Sequence, residues 1–246
     1  MKKISLVMVF SLSVVGGALA LDANDVLAKV DERRAIGPSF MFQLKIDDYS
    51  KDVLSQSAIM SGNAKGSNKT MVQYDEPANM RGKKLLLVDD EMFIFIPKTQ
   101  RPVRLTPSQR LMGQASNGDV MNVRFQADYN PAVVGEETVT SESGDKRCVV
   151  LELTAKRKGS TYSKLMLWVD SEEFYPVKAD CYALSGKLVK TVEYSLIKDF
   201  CGKRIISKAT LFDKVAKGNY TVIEFLDMAE ANVPDNFFSK DYLLRM

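Results

Sequence analysis

The chain has 246 residues, 46% of them hydrophobic and 26% charged, with a formal net charge of +3 that falls to +1 once Lys2 and Lys3 of the leader described below are removed. That near-neutral balance gives no electrostatic case for a nucleic-acid partner. The sequence contains no histidine, which excludes Ser-His-Asp and Cys-His catalysis and the usual zinc sites of exported hydrolases.

The first 20 residues combine a Lys2-Lys3 head, an apolar stretch from Ile4 to Val15 and the small-residue end Gly16-Gly17-Ala18-Leu19-Ala20. This pattern predicts a cleavable secretory signal with cleavage after Ala20, and hence a periplasmic location. The apolar run is shorter than the roughly 20 residues of a membrane helix. Residues 21–246 are expected to form a single domain, a length at which all-β chains commonly do so.

"DANDVLAKVDERR" predicts an opening helix capped by Asp22 or Asn24, with Val26, Leu27 and Val30 on one face. Phe40, Phe42, Leu44 and Ile46 then alternate as in a strand with one apolar face. Further strands are expected at about 53 to 64, 68 to 75 and 82 to 88, and Asp89-Asp90 suits a tight hairpin into "EMFIFIP". Phe93 and Phe95 lie on one face of that strand, and Met92, Ile94 and Ile96 on the other. Pro97 stops it, because the next amide could not donate to a ladder. The stretch Pro107 to Pro131 has weaker alternation and more Gly, Asn and Ser, and reads as one or two short helices in a long excursion.

From Val133 the strands resume, with Leu165, Leu167 and Val169 facing one way and Met166 and Trp168 the other. Turns at Ser185-Gly186, Cys201-Gly202 and Lys217-Gly218 predict an antiparallel meander in sequence order. The tail from Val233 reads as a short helix or loop. A single curved sheet has a concave face to cover, and the opening helix and middle excursion are the natural lid.

Enzymatic alternatives are weak, and the chain is read as a non-enzyme without cofactor or metal. Ser195 and Lys198 match S-x-x-K, but in an alternating strand rather than at a helix start. Asp89-Asp90 and Glu136-Glu137 sit at turn-like or strand-end positions where carboxylates are ordinarily solvated. Cys148, Cys181 and Cys201 form no C-x-x-C pair, and their spacing leaves open whether any two are bridged.

The N-terminal "DANDVLAKVDERR", the central "RGKKLLLVDDEMFIFIPKTQRPVRLTPSQRLMGQASNGDVMN" and the following "DYNP" resemble the exported outer-membrane lipoprotein-sorting proteins with the LolA-like fold, in its broad branch rather than LolA itself. The resemblance implies a mainly β fold: a strongly curved antiparallel sheet forming an incomplete β-barrel, lidded by the N-terminal helix and short middle helices. It also implies a periplasmic carrier of acyl chains of lipoproteins or other lipids, a monomer working between an inner-membrane transporter and an outer-membrane acceptor. The alternative is a sensor or interaction module that binds a membrane-protein partner.

On this reading Phe40, Phe42, Leu44, Met80, Phe93, Phe95, Met112, Met121, Met166 and Trp168 are the expected lining of the hollow, since unbranched methionine suits a deformable apolar wall. Arg81, Lys98, Arg101, Arg104 and Arg110 are the expected cations at its mouth for a head group or partner. For any single residue, gap-filling in an ordinary core and a solvated basic turn are the commoner explanations.

Overall fold

The computed structural model describes residues 22–66, 68–89, 91–99, 101–121, 125–141, 144–158 and 160–245. The expected leader, residues 1 to 20, lies outside them, as does Asp90. Helix α1 (Ala23–Glu32) starts where sequence reasoning placed it: the Asp22 side chain accepts from the Asn24 amide at 2.7 Å, and Val26, Leu27 and Val30 are buried. Strands β1 (Ser39–Ser50), β2 (Val53–Lys65), β3 (Lys69–Glu76), β4 (Lys84–Val88), β5 (Glu91–Phe95) and β6 (Val103–Leu105) follow. The middle excursion holds a two-stranded ribbon, β7 (Arg110–Met112) and β8 (Ala115–Ser116), then the short helices α2 (Asn117–Met121) and α3 (Phe125–Asp128).

The second run comprises β9 (Tyr129–Ser141), β10 (Gly144–Ala155), β11 (Lys164–Asp170), β12 (Pro176–Tyr182), β13 (Leu188–Phe200), β14 (Lys203–Asp213) and β15 (Tyr220–Glu230). A 3₁₀ turn (Asp235–Phe237) and α4 (Lys240–Arg245) end the chain. All the long strands join in one antiparallel sheet of 13 strands, in the order β6-β5-β4-β3-β2-β1-β15-β14-β13-β12-β11-β10-β9, not closed into a barrel. Every neighbouring pair is consecutive in sequence except β1 with β15. The meander is therefore two zigzags joined at a central seam, and β6 and β9 are its two edges. The excursion between them runs from one edge to the other across the concave side, which is why it serves as the lid.

Period-2 burial divides the sheet's faces. Phe40, Phe42, Leu44 and Ile46 of β1, Met60 of β2, Leu85 and Leu87 of β4, and Leu151 and Leu153 of β10 form one large core with α1, Val120 and Met121. The register seats Phe42 opposite Gly62, where a Cβ would stand 2.4 Å from the ring. Only glycine admits the ring there.

The outer face carries two smaller clusters. Phe93, Phe95, Met71 and Leu86 pack under Val233, Phe238 and Leu243 of the tail. Cys148, Val150, Trp168 and Val177 form the other, with Met166 against it. Among the described residues, no helix is long and apolar enough to cross a membrane.

Candidate functional site

The concave face and lid line a partly open cavity of about 90 Å³. Its apolar wall comes from Leu165, Ala179, Val192, Leu211, Ile223 and Phe225, its roof from Val120, Phe125 and Tyr129. For comparison, an apolar cavity of about 150 Å³ holds a benzene ring. The hollow is thus nearly filled by the protein's own side chains, and a long acyl chain fits only if the roof moves.

The cavity borders a fork in the sheet. The β14–β15 ladder runs from Phe212↔Tyr220 to Lys208↔Glu224 and stops there. Beyond it, the connection from α1 to β1 takes up β14's free edge: Ile206 N donates to Arg33 O at 2.9 Å, and Lys203 Nζ donates to Ile36 O. Opposite, Leu196 interrupts the β13–β14 pairing at φ +57° without shifting its register, and its carbonyl accepts from Ser207 Oγ at 2.7 Å. Arg34 follows Arg33 directly, on the cavity side.

Polar clasps hold the roof down. The Asp31 carboxylate accepts the Phe125 and Gln126 amides at 2.7 and 3.0 Å, fastening α3 to the end of α1. Asp119 of α2 meets Lys190 Nζ at 2.7 Å, and the Tyr162 hydroxyl donates to it at 2.8 Å. Ser116 adds two donors at 2.8 Å. Burial alone would push the Asp119 carboxyl up; the Lys190 charge and hydrogen bond and the Ser116 donors outweigh it and hold it below its usual range. Burial, with Asp119 adding to it, pushes the Tyr162 phenol well up, so it remains a donor.

Gly118 makes the approach of α2 feasible, since a Cβ there would lie 1.8 Å from Thr161 Oγ1. Gly118→Ala is expected to cost about 1–3 kcal/mol by overpacking. Thermal denaturation of G118A alone and with Thr161→Gly tests this, the second change recovering most of the loss.

The expected lining residues are placed as follows. Phe40, Phe42, Leu44, Met112 and Met121 belong to the concave core, with Met80 packed against it, but none borders the cavity itself. Phe93 and Phe95 face outward, because Leu86↔Phe93 pairs put them on the face that the tail covers, while Met92 and Ile94 point into the hollow's side. Met166 and Trp168 also face outward; the indole Nε1 donates to Glu137 Oε2 at 2.8 Å. These four therefore correct the expected lining: alternation separates two faces without saying which is concave.

Arg81, Lys98, Arg101, Arg104 and Arg110 are exposed and none lines the cavity. Arg104 pairs with Glu91 at 3.3 Å and Arg81 Nε donates to the Asp75 carbonyl at 2.9 Å. The cations that do border the cavity are Arg34 and Lys208, which nothing in their local sequence distinguishes from surface residues. Ser195 and Lys198 form no dyad: the Lys198 amine is held by Glu224 at 2.7 Å. The three cysteines are free and apart, Cys148 in the outer cluster, Cys181 in the cavity wall and Cys201 exposed. Burial raises the Cys148 thiol to about 11. Among the described residues, no group of three or more His, Cys, Asp or Glu could hold a metal ion.

Solved structures share this architecture. A LolA superfamily protein from Nitrosomonas europaea is 33% identical, covering 91% of this chain and all of that one, with a TM-score of 0.84. A domain described as an outer membrane lipoprotein-sorting protein, from Vibrio parahaemolyticus, is 19% identical over 91% of this chain and 100% of its own (TM-score 0.74), and a DUF1329 family protein from Desulfovibrio piger 21% identical over 90% and 97% (0.76). A family model described as "Uncharacterized protein" matches residues 66–245. No curated protein matches the sequence. The chain belongs to the LolA superfamily.

Proposed function

We propose that this protein is a periplasmic, non-enzymatic carrier that takes acyl chains of lipoproteins or other lipids into its hollow for transfer toward the outer membrane. The observation that carries the reading is the apolar cavity between the concave sheet and a roof held by a few polar clasps. A carrier must bind reversibly. Burying each CH₂ is worth about 0.8 kcal/mol, so full acyl chains would hardly leave unless opening the roof offset much of that gain. A hollow that closes on its own side chains when empty supplies that offset.

The second reading, a module that binds a membrane-protein partner, draws on β9. This strand is an open sheet edge, largely exposed, with Val133 and Val134 at 42% and 53% exposure. An extended segment of a partner could pair with such an edge.

Native mass spectrometry of the protein purified gently from a periplasmic extract, followed by lipid extraction, separates the two. A carrier co-purifies with acyl-bearing lipid or lipopeptide. Ala209→Leu, which adds three carbons at the cavity wall, lowers affinity about tenfold, equivalent to about 1.4 kcal/mol. A clean apo mass that takes up no added lipid rejects the carrier and favours the partner-binding module.

A further inference from the structure

The charged groups around the hollow differ in how closely they are paired. Asp119 is paired with Lys190 at 2.7 Å, and Asp128 with Arg157 at 2.8 Å. Arg34 is different. Its side chain is 15% exposed, Nη1 is fully buried with no hydrogen-bond partner among the described residues, and its ion pair with Asp31 Oδ1 is long, at 3.9 Å, beyond hydrogen-bond reach.

That carboxylate is already engaged by the two α3 amides. The Phe125 ring covers one face of the guanidinium at 4.0 Å, which supports the charge but leaves the Nη1 donors unused. Lys208 also borders the cavity, but its place in the β14 ladder sets its side chain with Thr210 and Phe212 on the other face of the sheet. The Tyr194 hydroxyl borders the cavity as well and has no hydrogen bond there. A buried guanidinium with idle donors is costly. Its natural complement is a planar or tetrahedral oxyanion, which the guanidinium fork meets with paired hydrogen bonds.

The geometry points to Arg34 as the head-group anchor of the hollow: a single-chain amphiphile with a carboxylate or phosphate head seats that head on Arg34, with Tyr194 beside it, and its chain along Val192, Leu211, Ile223 and Phe225. The assignment rests on the carrier reading and gives it a ligand class. It also sets a polarity, with the head at the β14–β15 fork beside Phe125 and the tail beneath α2.

Calorimetric titration with laurate, dodecyl phosphate, 1-dodecanol and inorganic phosphate, on the wild-type protein and on Arg34→Met and Arg34→Lys, tests it. The expected result is that R34M weakens laurate and dodecyl phosphate at least about tenfold, as loss of a charged hydrogen bond implies, while dodecanol changes less than about twofold. R34K, which keeps the charge, retains more of the anion affinity than R34M. The tighter of laurate and dodecyl phosphate names the head group.

Equal losses for charged and neutral ligands would mean that Arg34 only supports the fold, and unchanged anion affinity would mean that it is idle; either overturns the assignment while leaving a carrier. Saturable binding of inorganic phosphate alone, without preference for the chain, would make the site one for a free anion and also overturn it. If the wild-type protein binds none of the three amphiphiles, the carrier reading falls and the assignment falls with it.

Discussion

Lys190→Met is expected to destabilise the protein by about 3–5 kcal/mol, because it leaves the Asp119 carboxylate under the roof without its counter-charge. Both side chains are largely buried, at 8% and 12% exposure. The pair is therefore not a surface bridge of small worth. Removing both charges together, as in Asp119→Leu with Lys190→Met, is expected to restore much of the loss, since the apolar pair has no uncompensated charge to solvate. Denaturant unfolding of the two single variants and the double variant measures the coupling.

The same pair gives a pH signature. Asp119 titrates below its ordinary 3.8 in the folded protein. Its contribution to stability is then complete above that ordinary value and is lost as pH falls through the depressed folded one. Wild-type stability should thus drop in the strongly acid range, and Asp119→Asn should flatten that part of the profile.

Phe93→Ala is the second large effect. The ring is 6% exposed and lies in the outer cluster against the tail, so truncation leaves a cavity expected to cost about 3–5 kcal/mol. The hollow should be untouched: on the proposed carrier function, the folded fraction of F93A should carry as much lipid as the wild-type protein does. Comparing unfolding midpoints with lipid occupancy per folded molecule checks both halves. A variant that lost lipid in proportion to nothing but stability would agree with an outward Phe93, and one that lost lipid while remaining stable would contradict it.

Phe93 also shows where sequence reasoning stops. Alternation in "EMFIF" separated Phe93 and Phe95 from Met92 and Ile94 correctly, and the capping of α1, the meander and the lid formed by the middle excursion were all legible. Which face was concave was not. The sheet is wrapped on both sides, so both sets are buried, and the tail that covers the outer face lies more than a hundred residues downstream. The cavity itself was hidden for a related reason. Its wall is assembled from β11 to β15 at positions such as Ala179, Val192 and Ala209 that look like ordinary strand interior. Arg34 is one of two adjacent arginines at a helix end, where basic residues are common anyway. Its neighbour Arg33 donates from Nε to the Glu173 carbonyl at 2.8 Å, and only tertiary placement separates it from Arg34, which faces the cavity.

The seam between β1 and β15 also governs the order in which this molecule can be built. Within each zigzag, every strand meets a neighbour that is near in sequence, so hairpins form locally and quickly. The seam joins the first strand to the last, with Phe40 opposite Glu230 and Tyr49 opposite Tyr220. A chain delivered N-terminus first can fold its β1–β6 half early, yet that half keeps β1 as a bare edge until nearly the whole sequence has arrived. During that interval the apolar row Phe40, Phe42, Leu44 and Ile46 is the most vulnerable surface of the nascent protein, open to pairing with a second copy.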